Sequence, residues 1–407
     1  MKCRHCGSPQ CYKFLDLGSS PPSNAYLCND SLNDPEIYYP LQIYVCNECW
    51  LVQTSDTASA SELFKDDYAY FSSASSTWLE HARKYAEQVV ECLKLGRDSL
   101  VIEVASNDGY LLKHFVNWQI PCLGIEPTDS TASVAESQGV KVLREFFGYQ
   151  LGRKLASDSL QCDLLIGNNV LAHVPDINDF VQGIKAVLKP HGTVTLEFPH
   201  LLNMMSYCQF DTVYHEHFSY LSLHTVSRIF DSVDLRIWHV EQVETHGGSL
   251  RVYACHSSDA RETTEIVGEI LALEKGGGMR DIACYLDFQR RAGQIKDDLL
   301  IFLLDQKIKG RKVIAYGAAA KGNTLLNYAG VKPDLVSAVL DVADSKQGKF
   351  LPGSHIPIYA PSSLVALKPD FILILPWNLT DEVVRTCEIA RTWGCHFVLA
   401  VPKLKIF

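Results

Sequence analysis

The chain has 407 residues, 47% of them hydrophobic and 21% charged, the make-up of an ordinary globular protein with room for two or three domains. A formal net charge of −10 argues against a nucleic-acid partner, because that affinity rests on Lys and Arg neutralising phosphates. No apolar run reaches the ~18 residues of a membrane span, and the polar opening Met1 to Gln10 lacks the apolar run of a secretory signal, so a soluble, cytoplasmic protein with no membrane partner is expected.

The first segment, residues 1–74, is rich in turn formers (Gly18, Ser19, Ser20, Pro21, Pro22, Asn24) and poor in helical periodicity. It carries two Cys-x-x-Cys pairs, Cys3 with Cys6 and Cys46 with Cys49. Two equal spacings are what four thiolates need to surround a tetrahedral zinc ion, and such a metal substitutes for a core too small to fold alone. No open ligand position is implied, so the zinc is read as structural. The other cysteines among the fourteen read as reduced thiols.

The second segment, 75–276, opens with an amphipathic helix carrying Trp78, Ala82, Tyr85, Val89 and Leu93. A buried strand, Ser99 to Val104, then meets the tight turn Ala105, Ser106, Asn107, Asp108, Gly109 and a helix through Phe115. A second strand, Cys122 to Ile125, ends at Glu126, about 20 residues on, where an acidic side chain accepts hydrogen bonds from a ribose diol. Strands follow at Leu164 to Ile166, ending at Asn168 and Asn169, and at Thr193 to Glu197, with His173, Pro175 and a helix from about Asp179 between them. The alternation predicts a doubly wound sheet with a ligand at the carboxyl ends of its strands. One glycine in the turn is a poor cradle for a pyrophosphate. A methyl-sulfonium nucleoside has none, so S-adenosylmethionine is favoured over NAD.

The densest chemistry lies at Tyr214, His215, Glu216, His217, Phe218, Ser219 and Tyr220, followed by His246, Gly247, Gly248 and Ser249. So many proton-transfer groups together read as an active site rather than as core packing. The two histidines are two apart, which excludes the zinc-protease pattern of histidines four apart on a helix.

The third segment, 277–407, is expected to open with a long helix, roughly Gly277 to Lys309. The strand Lys312 to Tyr316 runs into Gly317, Ala318, Ala319, Ala320, Lys321, Gly322, Asn323 and a helix. Small residues there let an anion reach the helix amides, and Lys321 can neutralise phosphate. With further strands at Leu335 to Leu340, Phe371 to Leu375 and His396 to Val401, this is a second Rossmann-like unit, expected to bind a nucleotide diphosphate.

Taken in order, the paired cysteines, Glu103 to Gly109, Ala172 to Pro175, Tyr214 to Tyr220, His246 to Ser249 and Tyr316 to Asn323 resemble the three-domain sugar C-methyltransferases that act on nucleotide-linked 4-keto-6-deoxyhexoses. The resemblance spans nearly the whole chain. It implies an α/β protein with a zinc-binding domain (1–74), an S-adenosylmethionine-binding Rossmann-like domain (75–276) and a sugar-nucleotide-binding Rossmann-like domain (277–407). It further implies methylation at C3 beside a ketone at C4, with His217 as base, Glu216 binding substrate or tuning the site, Tyr214 and Tyr68 or Tyr70 positioning the sugar or its enolate, and His173 lining the pocket or assisting proton movement. Spacing alone does not rank His217 over His215. Glu103, Ser106, Asn107, Gly109, Glu126 and Asn169 are the implied cofactor contacts. Lys321 and Asn323, with His246, Trp377 and Asn378, are those implied for a dTDP- or GDP-linked sugar. The chain holds all the parts of one site, so a monomer would suffice. The rival readings are an NAD-dependent nucleotide-sugar oxidoreductase or epimerase, an O- or N-methyltransferase, and a non-catalytic zinc scaffold.

Overall fold

The computed structural model describes residues 1–55 and 71–407. Alternation builds the first sheet: Leu41, Ile43 and Val45 of β2 (Tyr39–Cys46) are buried, with β1 (Cys11–Ser20) antiparallel on one side and β3 (Val52–Thr54) on the other. Its inner face packs on the C-terminal part, where Phe14 meets Tyr285 and Phe288 edge-on at 5.1 and 5.8 Å.

The middle part is a seven-stranded sheet. The near-continuously apolar strands β4 (Val101–Val104), β5 (Cys122–Ile125), β6 (Val142–Leu143), β7 (Cys162–Asn168) and β8 (Leu188–Pro199) run parallel in the order β6-β5-β4-β7-β8. Their two faces bury different neighbours. Val101, Leu164 and Ile166 pack against Ala82, Tyr85 and Val89 of the helix Ser76–Leu93, while Ile102, Val104 and Leu165 share a second core with Phe180, Ile184 and Ile229. The strand order reverses between β4 and β7, which opens a crevice at their carboxyl ends.

The short strand β9 (Ser219–Tyr220) leaves this sheet and becomes the fourth strand of the first one, pairing Val52 with Tyr220 and Gln53 with Ser219. The strands β10 (Leu235–Val243) and β11 (Ser249–His256) then return as an antiparallel hairpin against β8.

The last sheet orders β14 (Ile358–Tyr359), β13 (Val339–Leu340), β12 (Val313–Tyr316), β15 (Phe371–Ile374), β16 (His396–Leu399) and β17 (Lys405–Ile406), parallel except for the final pair. Two expected elements differ. Instead of one helix from Gly277, a helix Glu265–Gly276 ends there and two others follow, Ile282–Leu286 and Phe288–Ile308. Three successive glycines end the first, with Gly278 at φ +78°, and the Asp281 side chain caps the second. The strand expected from Leu335 starts only at Val339, because the Leu335 and Val336 amides turn back to the Lys332 carbonyl after Pro333.

Candidate active site

The cysteine pairs meet as spacing predicts. The four sulfurs of Cys3, Cys6, Cys46 and Cys49 lie within 4.8 Å of one another, with Cys3 to Cys49 at 3.4 Å and Cys6 to Cys46 at 3.6 Å. Zinc–thiolate bonds of about 2.3 Å at tetrahedral angles set sulfurs about 3.8 Å apart, so the donor set fits zinc. All four positions are thiols, which leaves no vertex for water and makes the site structural. Arg4, inside the first knuckle, donates to the Phe218 carbonyl, so this part of the fold also holds the far end of the histidine-rich block.

At the crevice between β4 and β7, Asn107 and Gly109 adopt φ of +49° and +76°, and a Cβ at Gly109 would stand 3.0 Å from that of Ala135. The turn is thus bent tightly over the strand end. Glu126, at the tip of β5, takes the Asn107 amide on one oxygen and the Thr128 amide on the other, at 3.0 and 2.9 Å. Along the ends of β4 and β7 and just after them, buried side-chain atoms find no hydrogen-bond partner among the described residues: Glu103 Oε2, Ser106 Oγ, Asp108 Oδ1, Asn168 Oδ1 and Asn169 Oδ1. Burial, with Asp108 and Glu126 nearby, pushes the Glu103 carboxyl well above its ordinary range. A crevice lined with unsatisfied acceptors and carboxylates calls for a cationic, donor-rich ligand. The sulfonium and ammonium of S-adenosylmethionine meet that demand.

The histidine block lies between the three parts. His217 is buried and donates from Nδ1 to the Thr212 carbonyl at 3.1 Å, which makes Nε2 the unprotonated nitrogen. Its ring meets Tyr214 at 4.0 Å and His173 at 4.6 Å. Burial, reinforced by His173, pushes the imidazole well below its ordinary value, so it is neutral. His173 donates Nδ1 to the Glu216 carbonyl at 2.9 Å and is lowered by burial to about 4. The buried Glu216 carboxylate accepts both contacts from the Asn24 amide, at 2.8 and 2.9 Å. His215 faces elsewhere: Nε2 donates to the Tyr39 carbonyl at 3.1 Å and the ring meets Tyr39 edge-on. Tyr68 and Tyr70 lie outside the described residues.

From the hairpin loop, His246 accepts from the Asn169 amide at 3.1 Å and packs 5.5 Å from Trp78. This joins the cofactor crevice to the C-terminal side. There Lys321 donates to Asn378 at 2.7 Å and sits 4.4 Å from the centre of the Trp377 ring. Burial lowers the Lys321 ammonium, with Asp211 opposing it. Asn323 is placed apart from them. It is fully buried and donates to the Ser23 carbonyl at 2.6 Å, tying the N-terminal loop to the helix Ala320–Tyr328.

The sequence assigns no role to two buried carboxylates, Asp211 and Glu197. Glu197, fully buried on β8, accepts from His81 at 2.8 Å, Arg251 at 2.6 Å and Thr245 at 2.8 Å, and so anchors the loop that bears His246.

A fold of this kind, with a cation-seeking crevice at the switch point and a neutral imidazole beside it, defines an S-adenosylmethionine-dependent methyltransferase. Comparison with known proteins makes the class specific. Residues 3–64 match a zinc binding domain, 78–240 a methyltransferase domain and 244–402 a C-methyltransferase C-terminal domain. C-methyltransferase NovU of Streptomyces niveus is 31% identical over 405 residues, covering 100% of this chain and 96% of that protein. The chain belongs to this C-methyltransferase family. Among solved structures, magnesium protoporphyrin IX methyltransferase (ChlM) from Synechocystis PCC 6803 with bound SAH is similar at 13% identity and TM-score 0.36, over 44% of this chain and 83% of that one. The PH0226 protein from Pyrococcus horikoshii OT3 is similar at 14% identity and TM-score 0.39, over 47% and 99%.

Proposed function

We propose that the protein methylates C3 of a nucleotide-linked 4-keto-6-deoxyhexose, carried by dTDP or GDP, in the making of a branched-chain deoxysugar. The observation that carries this reading is His217: buried, neutral, with its proton fixed on Nδ1 by the Thr212 carbonyl. A hydrogen on a carbon beside a ketone is acidic because its loss gives an enolate, and an unprotonated Nε2 is the group to take it. The proton goes to Nε2, the C–H electron pair goes into the enolate, and the Thr212 carbonyl supports the imidazolium through Nδ1. Tyr214 and His173, packed on the ring, shape the wall against which the sugar lies. Glu216, its carboxylate held by the Asn24 amide, binds a sugar hydroxyl or tunes the base. When bound, S-adenosylmethionine supplies an electrophilic methyl to the enolate carbon.

His217 takes precedence over His215 because only the former belongs to the cluster with His173, Tyr214, His246 and Lys321. Lys321, with Trp377 and Asn378, meets the diphosphate. Incubation with methyl-labelled S-adenosylmethionine and separate dTDP- and GDP-linked 4-keto-6-deoxyhexoses tests the reading. One methyl gained on carbon is expected. Label found only on oxygen or nitrogen, or no transfer with the cofactor bound, would overturn it.

A further inference from the structure

Asp211 has no place yet in this account. It stands in the turn Phe210–Thr212, fully buried, and its Oδ2 accepts the Trp377 indole N–H at 2.7 Å. No side chain among the described residues hydrogen-bonds its Oδ1, and the backbone amides of its own turn lie close to the carboxylate. Burial raises the carboxyl to about 6, against the pull of Lys321 and of the indole. A carboxylate taken out of water at such cost must be repaid elsewhere, and its neighbours show where.

Trp377 is fixed on three sides. Asp211 takes its N–H, and Gly247, at φ +88°, lets the ring so close that a Cβ there would stand 2.3 Å from Cη2. Over the ring stands the Lys321 ammonium, whose other contact is the Asn378 side chain. The next residue after Asp211 is Thr212, whose carbonyl sets the His217 tautomer. One three-residue turn therefore touches both the base and the cationic wall.

We infer that Asp211 is a positioning residue for substrate binding: by anchoring the Trp377 indole it holds the Lys321 ammonium where the diphosphate docks, in register with His217. The inference rests on the proposed reading of Lys321 as the diphosphate contact.

Its sign separates it from plain electrostatics. Removing a negative charge near a bound polyanion strengthens binding by Coulomb's law, whereas loss of an anchor weakens it. The test is calorimetric titration of the full chain with dTDP and with GDP, alongside S-adenosylmethionine. Asp211→Ala is expected to weaken the nucleotide that wild type prefers about tenfold, the scale of one lost buried hydrogen bond, with cofactor affinity unchanged. Asp211→Asn, which still offers the indole an acceptor, should recover most of the loss. In a Lys321→Met background Asp211→Ala should add nothing, because its effect passes through the ammonium. Unchanged or tighter nucleotide binding, an equal loss in the Lys321→Met background, or a parallel loss of cofactor binding would each overturn the assignment. If wild type binds neither dTDP nor GDP, the diphosphate reading falls and this inference falls with it.

Discussion

Glu197→Ala should be among the most damaging single changes in the molecule. Glu197 is fully buried and Arg251 nearly so, and Arg251 keeps its Nη2 on that carboxylate at 2.6 Å while its guanidinium lies 4.2 Å above the Tyr85 ring. Removing one partner of a buried pair costs about 3–5 kcal/mol, and here the low end applies, because Arg251 keeps the partly exposed Glu241 carboxylate at 3.2 Å. The titration of the carboxyl leads to the same size. Burial alone would raise it, but bonds from His81 and Arg251 hold it down at about 2 from an ordinary 4.5, and that shift corresponds to about 3 kcal/mol. The sign is that of a depressed carboxylate: the stabilisation is present above pH 4.5 and is lost as pH falls through 2. For a middle domain of this size, ~3 kcal/mol corresponds to a fall in Tm of about 6–12 °C. Thermal unfolding at pH 7 followed by circular dichroism measures it. A Tm within 2 °C of wild type would refute the view that this cluster braces the His246 loop, a threshold set at about 1 kcal/mol.

Cys46→Ser should drop the zinc content below one per chain and impair folding, since binding and folding are coupled at such a site. A metal-free variant of unchanged stability, by atomic absorption and thermal melt, would contradict the structural role. Acid should destabilise the protein below pH 6.5. His173 and His246 are lowered by burial to about 4, and His217 also lies well below its ordinary 6.5. Between about pH 6.5 and 4 the unfolded chain binds protons that these imidazoles refuse, so each takes away about 1.4 kcal/mol per pH unit as pH falls. The raised carboxyls of Asp211, Glu103 and Asp231 oppose them, but His215, His114 and His224 are lowered by burial as well, so the imidazoles prevail. Melts at pH 7.5 and 5.5 should therefore show a lower Tm at the acid pH, and an equal or higher one would mean that the imidazoles are solvated.

What the sequence made legible is what is local in the chain. Two Cys-x-x-Cys turns announce their metal because each knuckle is four residues long, and the sulfurs do converge. The Tyr214 to Tyr220 cluster stood out by density, and the structure gathers Tyr214, His217 and His173 there, while Glu126 was found by its place after a strand and does sit at the tip of β5. The hidden parts are joined through space. Glu197 reaches His81 across 116 residues and Arg251 across 54, and no periodicity connects them. Asn24 meets Glu216 across 192 residues, from a loop that reads only as a turn. His215 and His217 are separated in surroundings by which carbonyl each ring finds, Tyr39 or Thr212, and that is set by tertiary contacts. Asp211 gave one faint sign, a charge set between Phe210 and Val213, both fully buried.

The central claim is that His217 takes a proton from the carbon that receives the methyl. The direct measurement is solvent-deuterium exchange at C3 of the 4-keto-6-deoxyhexose accepted by wild type, followed by mass spectrometry in wild type and His217→Ala, with S-adenosylmethionine binding measured in both. The account predicts exchange and methylation in wild type. In the variant both should fall by at least about a hundredfold, the lower end for a positioned acid–base group, with cofactor binding intact. Exchange at the wild-type rate in His217→Ala would contradict it.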